Sequence, residues 1–243
     1  MRVVVEYAFH LTFRSNDPNS TEQRICSAST MTTLQNLLTI VHVLAGSTAL
    51  ATALMATLAK AVNLKHRWHI LSGRIFFWSM LIIALTAFPM AVIHPNTFLF
   101  LIGIFSLYLT LAGWRYATNR KGVPRWFDWI SAGLMLLTSL VMVSMALYKV
   151  IVGTGGGVIL LSFGVIGGLL SSFDLKQLKN GGVKGRQRIS RHLIMMLSAT
   201  IAALTAFTVN NVTIQPAIIT WLGPTVLIVP IIIFWSGRVQ KGG

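Results

Sequence analysis

The sequence predicts an all-α fold: a polytopic integral membrane bundle of about seven transmembrane helices, N-terminus outside and C-terminus cytoplasmic. Three observations carry this. Hydrophobic residues fill 54% of the 243 positions and charged residues only 10%. The apolar residues fall into runs of about 20, the length that crosses a bilayer as a helix. The basic residues, which set a formal net charge of +15, cluster in the gaps between those runs. On a soluble domain such a charge would suggest nucleic acid. Confined to loops it marks a membrane surface, so the lipid bilayer is the expected partner and nucleic acid is not.

Residues 1–30 differ in character. They hold Glu6, Asp17 and Glu22 and a Ser/Thr/Asn-rich tract, and Glu6, His10 and Arg14 interrupt their short apolar stretch as no signal-peptide core would. They read as a polar extension, a mobile tail if translated at all, with Met31 a candidate true start and 31–243 a single transmembrane domain. Spans are expected at 35–59, 70–93, 97–116, 128–148, 156–173, 192–211 and 217–236. None alternates with the period of two that a barrel strand needs, so each is a helix. Pro89 is expected to kink the second span, and His94-Pro95-Asn96 to turn tightly after it. Gly155-Gly156-Gly157 loosens the start of the fifth, and Pro224 and Pro230 interrupt the seventh.

Orientation follows from the loops. Sixteen Lys and Arg residues fall in the first, third and fifth loops with their helix mouths and in the C-terminal tail, against Lys149 alone in the alternate loops. Cytoplasmic loops carry that excess. An even number of spans would put one cluster on the wrong side.

Few residues are available for chemistry. One cysteine, Cys26, excludes an internal disulfide and a cysteine-only metal site. Only Asp128 and Asp174 follow residue 30 among the acids, both at predicted span ends, where a solvated carboxylate is expected. No ionisable group is expected inside the bundle, as a proton pump or cation-coupled transporter would need. No Walker motif or Ser-centred nucleophile elbow is present.

Histidine is the unusual content. The stretch Lys65-His66-Arg67-Trp68-His69 opens the second span and His192 opens the sixth, which puts His66, His69 and His192 at one boundary. His42 and His94 belong to the opposite side. Two imidazoles on different helices suit haem b, whose iron takes histidine nitrogens axially and whose propionates want cationic partners. His69, His192 and, for a second site, His42 are the candidate ligands, with Arg74 and Arg191 as propionate partners beside Arg67 and Arg188. Met195 and Met196, one turn from His192, are softer candidates. Gly73, and the small residues Gly46, Ala49, Ala53, Ala199, Ala202, Ala203 and Ala206, would give a planar group room. Such stripes also serve ordinary helix packing. A zinc site on His66, His69 and His192 is the second possibility, although no acid sits beside them as ligand or general base. Trp68, Trp114, Trp126, Trp129, Trp221 and Trp235 read as membrane-interface anchors.

Several blocks carry a resemblance. They are Ile40-Val41-His42-Val43-Leu44-Ala45-Gly46, His69-Ile70-Leu71-Ser72-Gly73-Arg74-Ile75-Phe76, Asn96 to Phe100 with Tyr108 and Gly113-Trp114-Arg115, Arg191-His192 with Met195, Thr205 to Asn210, and Trp221-Leu222-Gly223-Pro224-Thr225. Over residues 35–237 the chain resembles a family of bacterial multi-pass membrane proteins grouped as a domain of unknown function, with histidines at the positions of His42, His69 and His192. His66 departs from that pattern, where a glycine is expected after Lys65. More broadly it is similar to two-haem transmembrane b-type cytochromes. The resemblance implies a bacterial inner-membrane protein, and the cytochrome likeness electron transfer with a membrane or cytoplasmic redox partner. The alternatives are a non-catalytic transporter or assembly protein with structural histidines, and a zinc-dependent membrane hydrolase.

Overall fold

The computed structural model describes the backbone of residues 18–62 and 65–242, with side chains from residue 31. Among the described residues there are seven helices and no strand: α1 (Pro18–Ala61), α2 (His66–Ile93), α3 (Thr97–Thr118), α4 (Trp126–Ile151), α5 (Gly157–Lys179), α6 (Gly185–Asn211) and α7 (Ile218–Lys241). Each is long and apolar enough to cross a membrane. The predicted spans thus all exist as helices. Residues 1–17 of the expected polar extension lie outside the described residues, and from Pro18 the backbone is helical and continuous with the first span.

The chain divides into two compact units at Ile40/Val41. The first ends in the helical stretch where Thr39 Oγ1 donates to the Gln35 carbonyl at 2.9 Å. The second, Val41–Gly243, is the helix bundle.

Within the bundle α3 is central, packed against α2, α4, α5 and α6. The α4–α5 pair is the closest, because α5 presents glycines. A Cβ on Gly164 would stand 2.9 Å from Val143 Cγ2, and one on Gly168 2.6 Å from Ser139 Oγ. Ser139 also donates to the Gly164 carbonyl. Small residues let backbones approach this way in apolar surroundings, where close packing and interhelical hydrogen bonds replace the hydrophobic effect. Leu109, Met135, Met142, Leu160 and Met195 fill the interior, while Leu85, Leu137, Val226 and Leu227 face outward and are exposed. An outer surface that apolar suits hydrocarbon as solvent and would aggregate in water.

Of the helix ends that depart from expectation, three matter for the site. α2 starts at His66 rather than 70, α5 runs on to Lys179 rather than 173, and α6 starts at Gly185 rather than 192. Hydrogen bonding along a helix does not require apolar side chains, so each helix continues through polar residues that a hydropathy reading cuts away. Caps fix two other ends. Asn96 accepts from Leu99 N at 3.1 Å to start α3, and Asp128 accepts from Arg125 N at 2.9 Å to start α4. Pro89, Pro224 and Pro230 lie inside helices that run through them.

Candidate functional site at the basic end of the bundle

The ends of α1, α3, α5 and α7 and the starts of α2, α4 and α6 carry nearly all the Lys and Arg of the bundle. Here α2 and α6 bring His69 and His192 together. Their ring centroids are 6.3 Å apart at 87°, and His66, one turn before His69, stacks on it at 6.3 Å and 21°. His66 is exposed, whereas His69 and His192 are partly buried.

Each of the two inner rings is anchored by one nitrogen. His69 Nδ1 lies 3.0 Å from the Ala56 carbonyl of α1, and His192 Nδ1 lies 2.9 Å from the Gly113 carbonyl of α3. A carbonyl only accepts, so Nδ1 carries a proton in both, and in the neutral ring Nε2 keeps a lone pair. Neither Nε2 has a hydrogen-bond partner among the described residues. A backbone carbonyl on the far nitrogen is the usual support of a metal-ligating histidine.

The same logic applies to His42. Its Nδ1 is 2.9 Å from Thr86 Oγ1, whose own proton goes to the Ile82 or Ile83 carbonyl, so His42 donates. His94 is exposed just past the end of α2, and no contact joins it to His42 among the described residues. The outer histidines are therefore not brought together as the inner ones are.

Several other candidates stand elsewhere than expected. Arg191 is buried and its Nη2 is committed to Asp174, while its Nε is buried without a hydrogen-bond partner. Arg74 is exposed, with no ion pair among the described residues. Met195 is sealed in the core, and Met196 packs on Gly113, where a Cβ would stand 2.6 Å from its Sδ. Ala49, Ala53, Ala199 and Ala202 belong to the packed core. Of the expected small residues, Gly46 and Gly73 face open space, a Cβ on either meeting nothing within 4 Å, and Ala206 is exposed. No three His, Cys, Asp or Glu side chains converge as a metal-binding set among the described residues. His66 lies parallel to His69 rather than across from it, so a three-histidine zinc site is not assembled. Trp114 stacks on Phe77 at 4.4 Å, and Trp221 meets Phe98 and Phe163; these two pack within the bundle, while Trp68, Trp126 and Trp129 are exposed near the basic end.

The largest departure is Asp174. Because α5 continues past 173, this carboxylate lies within a helix and is only 4% exposed. Tyr108 donates to it at 2.7 Å, Tyr116 at 2.8 Å, and Arg191 completes an ion pair. Three helices, α3, α5 and α6, thus meet on one carboxylate, which leaves few lone pairs unsatisfied. Asp128 is likewise no free helix end, since Arg115 grips it with Nε at 2.6 Å and Nη2 at 2.7 Å. Arg188 donates to the Tyr116 and Ala117 carbonyls and so caps the end of α3.

No protein-family model, curated protein or solved structure matches the chain.

Proposed function

We propose that the protein is a seven-span bacterial inner-membrane electron carrier whose His69–His192 pair binds haem b at the cytoplasmic boundary. The basic end lies in the cytoplasm on this reading, as the loop charges favour. One observation carries the proposal: two imidazoles from non-adjacent helices converge, each tied by Nδ1–H to a carbonyl and each left with a free Nε2 lone pair.

The residues present fit such a group. His69 and His192 would hold the iron, and the open face at Gly73, one turn beyond His69, leaves room beside it. Arg67 and Arg74, exposed on α2, are donors for its propionates, whereas Arg191 is taken by Asp174. Bound haem supplies a one-electron couple whose potential follows axial ligand, burial and hydrogen bonding. The protein's part is to fix both tautomers through Ala56 and Gly113 and to keep that end of α2 and α6 in register. The broader likeness to two-haem b-type cytochromes, which rests on histidines at both membrane faces, favours the same reading.

An optical spectrum of protein purified after expression with ample haem tests it. Soret and α bands on dithionite reduction, lost in His69→Ala and in His192→Ala, are expected. A flat visible spectrum would overturn haem binding.

A second reading has an observation of its own. The Nδ1–H bonds of His69 and His192 also join α1 to α2 and α3 to α6, so the rings act as interhelical staples of a non-catalytic membrane protein. On that reading the same variants lower the unfolding midpoint and change no spectrum.

A further inference from the structure

We propose that the cleft between the two loops at the basic end, 119–125 and 180–184, is a binding site for a phosphate-bearing anion. The loops lie against each other because glycine permits it. Gly122 and Gly182 have φ of 69° and 86°, and a Cβ on Gly182 would run into the Gly122 carbonyl and stand 3.2 Å from Pro124 Cδ. Between the loops and the ends of α3, α4 and α5 lies a small cleft, open to solvent at its mouth.

Its chemistry is one-sided. Both carboxylates that follow residue 30, Asp128 and Asp174, line it, and both are already taken: Asp128 by Arg115, Asp174 by Tyr108, Tyr116 and Arg191. Donors remain. Arg115 spends Nε and one N–H of Nη2 on Asp128, which leaves the rest of its five N–H groups, and the Gln177 amide touches only the Tyr116 hydroxyl. Outside the lining itself, Arg120, Lys121, Arg125, Lys179 and Lys184, on or beside the two loops, are exposed and make no ion pair among the described residues. Spare donors, unpaired cations and no spare carboxylate select an anion with several acceptor oxygens. Ala112, Leu178 and Val183 give the cleft an apolar wall, which admits the carbon side of a phosphate ester. The phosphate can belong to a lipid headgroup or to a free anion.

The test uses the full chain in phosphatidylcholine nanodiscs. One arm adds millimolar inorganic phosphate at constant ionic strength, and the other replaces part of the lipid by phosphatidylglycerol. A rise in unfolding midpoint of about 5 °C is expected in at least one arm. A rise with inorganic phosphate identifies a free anion, and a rise with phosphatidylglycerol alone identifies a lipid headgroup. The combined Lys121→Gln, Arg125→Gln and Lys184→Gln variant should lose the rise, while combined Lys60→Gln and Lys65→Gln, outside the lining of the cleft, should keep it. No rise in either arm, or equal loss in both variants, would overturn the site.

Discussion

Arg191 of α6 and Asp174 of α5 form an ion pair whose side chains are only 9% and 6% exposed. Breaking one side of such a pair leaves a buried charge uncompensated, at about 3–5 kcal/mol. Asp174→Asn and Arg191→Gln are each expected to lower unfolding stability on that scale. The double variant should recover part of the loss, since it buries no lone charge. Additive losses in a double-mutant cycle would contradict a coupled pair.

Gly113 does two things at once. Its carbonyl holds His192, and its missing side chain leaves room for Met196. Gly113→Ala should cost about 1–3 kcal/mol through overpacking. If haem is bound, its Soret intensity should fall as well. Adding Met196→Ala should restore much of both. Denaturant unfolding and the optical spectrum read the two effects separately.

Among the described residues His42 has a hydrogen-bond partner but no second imidazole across from it. His42→Ala is therefore expected to leave haem content unchanged and to cost about 1 kcal/mol, the ordinary net worth of one hydrogen bond. Pyridine haemochrome assay of purified protein decides it: haem content halved relative to wild type would restore His42 as a ligand.

The direction of the bundle can be read chemically. With Cys26→Ser as background, Lys121→Cys and Thr154→Cys place thiols in loops at opposite ends. A membrane-impermeant maleimide applied to intact cells should label the thiol at 154 and spare that at 121. The reverse pattern would invert the proposed orientation.

The seven helices were legible because hydrocarbon leaves a segment little choice: about 20 apolar residues must close their own hydrogen bonds as a helix. Their ends were not legible. Ser171, Ser172, Asp174 and Lys176 make the last turns of α5 look like loop to a hydropathy reading, yet the helix runs to Lys179. The same cut at 192 hid two turns of α6 and made Arg191 look like a surface cation. A helical-period signal was present all the same. Gly164, Gly167, Ser171 and Asp174 recur at three- and four-residue spacing and are all buried, which marks the packed face of α5 and puts Asp174 on it. Tyr108 and Tyr116 share a face of α3 by similar spacing, but nothing local says that both reach the same carboxylate two helices later. The approach of His69 to His192 is equally a property of the bundle, set by how α2 and α6 both pack against α3.

The placement of Asp174 and Arg191 on successive helices has a consequence for how the chain is made. A ribosome delivers α5 first, and an aspartate near the middle of a membrane helix costs about 2.5–3.5 kcal/mol on insertion scales, less toward the end. The counter-charge that relieves it emerges only with α6. α5 and α6 are thus suited to leave the translocon as a hairpin, with the Arg191–Asp174 contact formed as they partition. Truncation after residue 184 should yield a nascent chain whose fifth helix is poorly retained in the membrane and quickly degraded, while truncation after α6 should not.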